Sequence, residues 1–486
     1  MKVAIIGSGF SSLASACYLA KAGYEVALYE KNSQVGGRAR QLKTKGFTFD
    51  IGPTWYWMPD VFEKFFQDFG KRVEDYYQLE KLSPAYKVFF GQNNAVEIAD
   101  SLAQIEQTFE EIEPGSGKKL HSFIDEARNN YEIAIKDLVY RPGDSILELI
   151  TPKTVLKVSQ FFSTISKTVK SRFRDKRLQQ ILEFPILFLG AKPSNTPGFY
   201  NFMNYADFGL GTWHPKGGMY SVVEAMEQLA IELGVTIHIN ATVEKINVVK
   251  GKVTGLQVNK KNILADIVLS GADYHFTETL LAPNLRQYSE QYWNKKTFAP
   301  SSLLFYVGFD KKIAHVKHHT LFFDAPFEEH AIEIYDTKKW PKNPLFYASF
   351  PSITDDSFAP KDKEAAIFLI PLAIDLEDTP EIREQYFEKI ITRFEKITNQ
   401  SVREHILVKE SFCVNDFKND YNSYKGNAYG LANILTQTAF LRPKIKSKKV
   451  KNLYFTGQLT VPGPGVPPSL ISGKIASDKI SKENKL

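Results

Sequence analysis

VAIIGSGFSSLASACYLAKAGYEVALYE, residues 3 to 30, decides the fold of this 486-residue chain. Residues 3 to 6 are a continuous apolar run, the pattern of a strand buried on both faces of a parallel sheet. Gly7 then permits a tight turn, and Gly9 lets the backbone come close to an anion. Leu13, Ala16, Leu19 and Ala20 recur at helical spacing, and Gly23 follows as the left-handed residue that stops a helix. A second strand over residues 25 to 30 ends in Glu30. A helix that starts beside Gly9, Phe10, Ser11 and Ser12 offers free N–H groups and a positive dipole end to a pyrophosphate. A carboxylate at Glu30 accepts hydrogen bonds from a ribose diol and repels a 2′-phosphate. Ser12 stands where a third glycine is usual, which costs some closeness of helix to strand. Strand, helix, second strand and acid together read as the opening of a dinucleotide-binding α/β domain.

The rest of the composition narrows the class. The length allows two or three domains. With 43% hydrophobic and 24% charged residues the chain is neither disordered nor collagen-like. A net charge of +6 spread over this length makes no nucleic-acid footprint. Cys17 and Cys413 build neither a disulfide framework nor a structural zinc site, so a reducing compartment is the expected setting. No apolar run reaches the ~18 residues of a spanning helix. The run from Ile181 is interrupted by Glu183 and Pro185. A signal peptide is not expected, because the first strand begins at once. The expectation is a soluble protein or one lying on a membrane surface.

Past Glu30 and Lys31 comes a second glycine pair, Gly36-Gly37, with Arg38 and Arg40 as charge-assisted donors for phosphate. Then follow Gly52-Pro53-Thr54-Trp55, a Pro215-x-Gly217-Gly218 turn with Val243 beyond it, a Gly-Ala-Asp turn at 271 to 273, and NLYFTGQLTVPGPGVPPSLISGKIAS from Asn452. In this order the motifs resemble the FAD-dependent amine oxidase superfamily, and within it the bacterial-type phytoene desaturases. The resemblance runs the length of the chain and departs from the C-terminal signature at Gln458, Leu459, Val461 and Pro464. It implies FAD as cofactor and places the Gly52 turn next to the flavin ring and Val243 near the adenine. It implies a helix beginning at Val466, Pro467 and Pro468 whose N-terminal end faces the flavin beside Gly457 and Gln458. The implied architecture is a Rossmann-like, discontinuous FAD-binding domain (1–85, 208–275 and 440–486). An α+β substrate domain (86–207 and 276–439) joins it, with a helical membrane-associating region at 151–190.

That last region carries eight basic residues against Asp175 and Glu183, an excess equal to the net charge of the chain. Val155, Val158, Phe162, Ile165 and Val169 fall on one helical face, next to the apolar run 184 to 189. A basic amphipathic helix of this kind suits an anionic membrane surface. HVKHH at 315 to 319 puts His315 and His319 at i, i+4, but no acidic partner is in register. It reads as a surface segment, and no metal site is expected. His214 is the histidine inside a cofactor-proximal motif and stands as the acid/base candidate.

The resemblance implies removal of a hydride and a proton from phytoene, in successive steps toward lycopene, with quinone or oxygen reoxidising the flavin. It implies a cytoplasmic enzyme peripherally bound to the cell membrane and a lipid-soluble polyene substrate. Such chemistry needs an apolar, aromatic-walled tunnel rather than a nucleophile. Trp55, Tyr56, Trp57 and Met58, directly after the flavin turn, are its candidate lining. A carotenoid ketolase, a hydroxycarotenoid desaturase and a non-catalytic lipid binder of the same fold are the alternatives.

Overall fold

The computed structural model describes residues 1–155 and 157–485, without the side chains of Asp137, Lys153, Val155, Val158, Ser159 and Phe188. Its organising element is a five-stranded parallel sheet in the order Leu453–Phe455, Ile267–Ser270, Lys2–Ile6, Glu25–Tyr29, Thr236–His238. The first strand sits in the middle, and its Val3, Ala4, Ile5 and Ile6 are all buried, which is why the run needs apolar residues on both faces. The helix Phe10–Lys21 leaves this strand and ends where Gly23 takes φ 91°. It packs against the helices Met219–Glu232 and Val466–Glu483. The second crossing is tight: a β-carbon on Gly473 would lie 2.6 Å from Ser11 O. Ser15 Oγ donates to Gly473 O at 3.1 Å across it.

A second sheet of seven strands is built from Ile406–Phe412, Ser301–Phe309, Glu364–Leu372, Phe346–Ser349, His319–Phe322, Tyr86–Gly91 and Asn94–Ile98, in that order. All its pairs are antiparallel except His319–Phe322 with Tyr86–Gly91. Side chains alternate across it. Phe305, Phe368 and Ile370 pack with Phe387, Ile390 and Phe394 of the helix Pro380–Thr398. Ser302, Leu304, Leu369 and Pro371 face a large cavity on the other side. Opposite the sheet the cavity is lined by Phe184, Leu187 and Leu189, which follow the helix Lys176–Glu183, and by Met203 of the helix Phe202–Phe208.

The region 151–190 is not one amphipathic helix. It folds as Pro152–Val155, Val158–Phe162, Ile165–Arg172 and Lys176–Glu183. The break comes at Thr164, whose backbone is extended and whose side chain accepts from Lys167 N at 3.2 Å, capping a new helix. The apolar spacing therefore does not continue through it: Ile165 and Val169 are buried, whereas Phe162 is 83% exposed. The side chains of Lys153, Val155, Val158 and Phe188, also counted in that expectation, lie outside the described residues. The apolar run itself turns inward, with Phe184, Ile186 and Leu189 buried. Among the described residues no helix is long and apolar enough to cross a membrane.

Candidate flavin and substrate cavity

One continuous cavity runs between the two sheets. Of the residues singled out in the sequence, Gly7, Gly9, Phe10, Ser11, Glu30, Lys31, Gly36, Gly37, Arg38, Gly52, Pro53, Thr54, Trp55, Trp57, Met58 and Val243 line it. So do Gly457, Gln458, Val466, Pro467 and Pro468. Ser12, Tyr56 and His214 do not, and neither does Arg40, whose guanidinium pairs with Asp420 instead of facing a phosphate site.

The polar wall is built by close backbone approach. The helix Phe10–Lys21 opens at Gly9, which has ordinary extended backbone (φ −67°, ψ 172°) and would project a β-carbon into empty space. A β-carbon on Gly37 would stand 3.2 Å from Gly9 Cα, so the two glycine turns press together. Glu30 is 5% exposed and held from both sides. Its Oε2 accepts from Ser8 N (3.0 Å) and Ser8 Oγ (2.7 Å), and its Oε1 accepts from Asn32 N at 2.8 Å. On the opposite rim Gly52 is forced by contact, since a β-carbon there would meet Arg38 O at 2.2 Å.

Arg38 is the charge of this wall. Its side chain is half-buried, and desolvation lowers its pKa against the opposing pull of Asp273. Nη2 donates to Ser423 Oγ and to Asn427 O, and the guanidinium lies 5.1 Å from the Tyr421 ring centre. Nε has no partner, and no carboxylate forms an ion pair with it among the described residues. In the orientation that satisfies both ends of the Gln458 amide, its oxygen accepts from Arg38 Nη2 at 2.9 Å and its nitrogen donates to Tyr429 O at 3.2 Å. These direct partners are neutral, and the nearby Asp273 acts on the guanidinium without an ion pair, so a positive charge only partly compensated faces the cavity and favours an anion there.

The flavin containing amine oxidoreductase family matches residues 10–481. The chain belongs to this family. Within it the chain falls among the carotenoid desaturases. It is 39% identical to a carotenoid 3,4-desaturase of Haloarcula japonica, over 99% of this chain and 98% of that one. It is 32% identical to a 4,4'-diapophytoene desaturase of Staphylococcus haemolyticus (99% and 99%) and 31% identical to a zeta-carotene-forming phytoene desaturase of Myxococcus xanthus (99% and 93%). Solved structures share the fold at low identity. An oxidoreductase from Methanosarcina mazei aligns with a TM-score of 0.63 at 17% identity, covering 98% of this chain and all of the other. Putrescine oxidase bound to putrescine gives 0.62 at 13% identity, with 99% of each chain covered.

The cofactor of this amine oxidoreductase family member is FAD. The residues present fit it. The open space over Gly9 takes a pyrophosphate, the unpaired Arg38 guanidinium supplies its counter-charge, and Glu30 is ordered for a ribose. The helix Val466–Glu483 meets the cavity with its N-terminus, but Pro467 and Pro468 carry no N–H. This tip therefore presents the helix dipole with Val466 N–H, not a full set of donors.

The second wall is apolar. Phe184, Leu187, Leu189, Met203, Leu321, Phe323 and Ile334 line it. Chain alternation sorts the aromatic run: Trp55 and Trp57 face the cavity, whereas Tyr56 between them turns away. The Tyr56 ring stacks on Phe62 at 4.3 Å and its hydroxyl pairs with Tyr77 Oη at 2.8 Å. Trp57 Nε1 donates to Thr212 Oγ1 at 2.8 Å.

His214 is corrected by its position. It lies on the strand Trp213–Pro215, outside the cavity lining, with Nε2 3.2 Å from Asp355 Oδ2. Asp355 also accepts from Gly217 N at 2.7 Å, so the pair braces the glycine turn. HVKHH is a surface segment only at its start, where His315 is exposed. His318 and His319 are buried, and His319 begins an inner strand of the seven-stranded sheet. Its ring stacks on Trp55 at 3.9 Å and 10°. Its Nδ1 lies 2.6 Å from Tyr347 Oη, which is 2.8 Å from Thr54 Oγ1. Sequence reasoning placed His319 on a surface segment and missed Tyr347, because only strand pairing brings them beside Thr54.

Proposed function

We propose that this chain is a FAD-dependent desaturase that removes two hydrogens from adjacent carbons of an acyclic carotenoid. The observation that carries this reading is the single cavity whose polar wall fits FAD and whose other wall is apolar and aromatic. Bound FAD supplies the two-electron acceptor for the hydride. The chain binds the cofactor through 1–85, 208–275 and 440–486, and holds the polyene through 86–207 and 276–439 together with Trp55 and Trp57 of the first segment. Trp55, Trp57 and Phe184 orient the polyene and exclude water. Position is the finer question. The 39% identical relative is a 3,4-desaturase, which favours a bond near one end of the chain. The stepwise conversion of phytoene toward lycopene is the second reading, favoured by the relative from Myxococcus xanthus.

The reading includes docking on a lipid surface, because such a substrate resides in a bilayer. The surface is not the 181–190 run but the exposed Ile146, Leu147, Ile150 and Phe162. Quinone or oxygen serves as the final electron acceptor. The test incubates the enzyme with FAD and a quinone in liposomes holding either phytoene or lycopene, and follows products by chromatography. Conversion of lycopene with phytoene untouched supports the 3,4 position. Growth of intermediates between phytoene and lycopene supports the second reading. No new double bond in either polyene overturns both.

A further inference from the structure

We propose that Tyr347 and His319 form the relay that takes up the proton lost when the polyene is desaturated, an inference that rests on the desaturase reading above. Tyr347 lines the cavity from the strand Phe346–Ser349. Its hydroxyl is shared between Thr54 Oγ1 at 2.8 Å and His319 Nδ1 at 2.6 Å. Thr54 belongs to the turn that also carries Gly52, so this hydroxyl stands where flavin and substrate walls meet. His319 is fully buried, and its Nε2 has no hydrogen-bond partner among the described residues. A buried imidazole with one idle nitrogen is not explained by packing.

His330 of the same cavity shows the contrast. Leu345 N–H donates to its Nδ1 at 3.0 Å, and its Nε2 donates to Pro371 O at 3.0 Å. Both nitrogens are engaged by backbone, so that ring has no capacity for a further proton. His319 has it.

The chemistry balances without another reactant. Bound FAD would supply the acceptor for the hydride, and the adjacent carbon loses a proton to Tyr347 Oη. The electron pair of that second C–H bond becomes the new π bond. Tyr347 passes its own proton to His319 Nδ1 along the hydrogen bond between them. The resulting imidazolium lies against the Trp55 indole, whose π face stabilises a cation. Burial and the nearby His214 hold the His319 pKa well below the usual histidine value, which keeps the resting imidazole neutral and open to a proton. A carbon chain that has lost a hydride is a far stronger acid than imidazolium, so a weak base suffices.

The experiment compares wild type, Tyr347→Phe and His319→Gln in liposomes holding the polyene that wild type consumes, with FAD and a quinone. Turnover is measured in H2O and D2O, with bound flavin per chain. The 15N resonance of His319 Nδ1 is read in the flavin-free protein. Both variants should retain flavin and lose turnover on the order of 10²-fold. Wild type should show a solvent isotope effect that both lack, and Tyr347→Phe should shift the Nδ1 resonance. Should one variant fail to fold, the other decides. Wild-type turnover in Tyr347→Phe with an unchanged isotope effect overturns the relay and leaves the desaturase reading standing. So does loss of turnover only in step with loss of flavin. Absence of desaturation by wild type overturns the desaturase reading, and the relay falls with it.

Discussion

Ser12 Oγ occupies the space over Gly271: a β-carbon on that glycine would lie 2.0 Å from it. The serine stands where the dinucleotide fingerprint ordinarily has its third glycine, and the helix still sits close on the sheet. It does so because residue 271, at the end of the neighbouring strand, has given up its own side chain. The two positions share one volume. Ser12 Oγ has no hydrogen-bond partner among the described residues, so removing it forfeits only contact. Gly271→Ala should therefore overpack the junction by about 1–3 kcal/mol. Ser12→Ala in the same chain should recover most of that loss. Thermal melts of the two singles and the double check it, and strictly additive effects would refute the shared volume.

Arg38, which makes no ion pair among the described residues, separates cofactor binding from fold stability. Arg38→Met removes the counter-charge for a diphosphate, so the FAD dissociation constant should rise at least tenfold, about 1.4 kcal/mol. The flavin-free protein should lose little stability, because the direct partners of the guanidinium are neutral and Asp273 acts on it without an ion pair. Flavin titration and melting of the apoprotein give the two numbers. An apoprotein that melts lower, with unchanged flavin affinity, would show that the guanidinium serves only to hold Ser423 and Asn427.

The parts of the cavity that could be read in advance are those where backbone meets backbone. Gly37 and Gly52 have no room for a side chain at their contact distances, the open space over Gly9 is kept for an anion, and such constraints leave short motifs. The alternation of Trp55, Tyr56 and Trp57 was likewise local. Its sides are those of an extended chain, although which side faces the cavity was not written in it. Misreading began where periodicity crossed a cap. The spacing from Phe162 to Ile165 continues a helix on paper, yet the Thr164 hydroxyl starts a new one and sends the two residues to opposite environments. His214 misled for a related reason, since nearness to a motif in sequence is not nearness to the cavity. Thr54, His319 and Tyr347 come from a turn and two paired strands, and long-range pairing leaves no local signature.

The exposed apolar side chains give a membrane prediction that the basic residues alone do not. Leu147 is 70% and Phe162 83% exposed. Each contributes about 1.5–3 kcal/mol if it leaves water for a lipid interface. Leu147→Ser with Phe162→Ser should lower partitioning onto anionic liposomes by at least tenfold and leave bound flavin unchanged. Neutralising Lys167, Lys170, Arg172 and Arg174 should weaken binding further at low salt and much less at high salt. Cosedimentation at two ionic strengths measures both. Equal binding of the serine variant and wild type would dismiss this surface.

Asp207 makes part of the stability of the protein depend on pH in the opposite sense to most carboxylates. It lies buried in the helix Phe202–Phe208 and accepts from Tyr86 Oη at 2.8 Å. Burial pushes its pKa up to about 8. The folded chain therefore keeps a proton that the unfolded chain releases near pH 4. Where the native state binds more protons, stability falls as pH rises, so this contribution is present at low pH and is lost progressively between about pH 4 and 8. Asp207→Asn carries no such proton and keeps an acceptor for Tyr86. Other buried carboxyls, Asp50 and Glu278, are pushed up to about 7 in the same way, so the comparison must be the difference between variant and wild type. The melting temperature of the variant relative to wild type should rise steadily from pH 5 to pH 8. A difference that stays constant over that range would show that Asp207 does not titrate there in the folded protein.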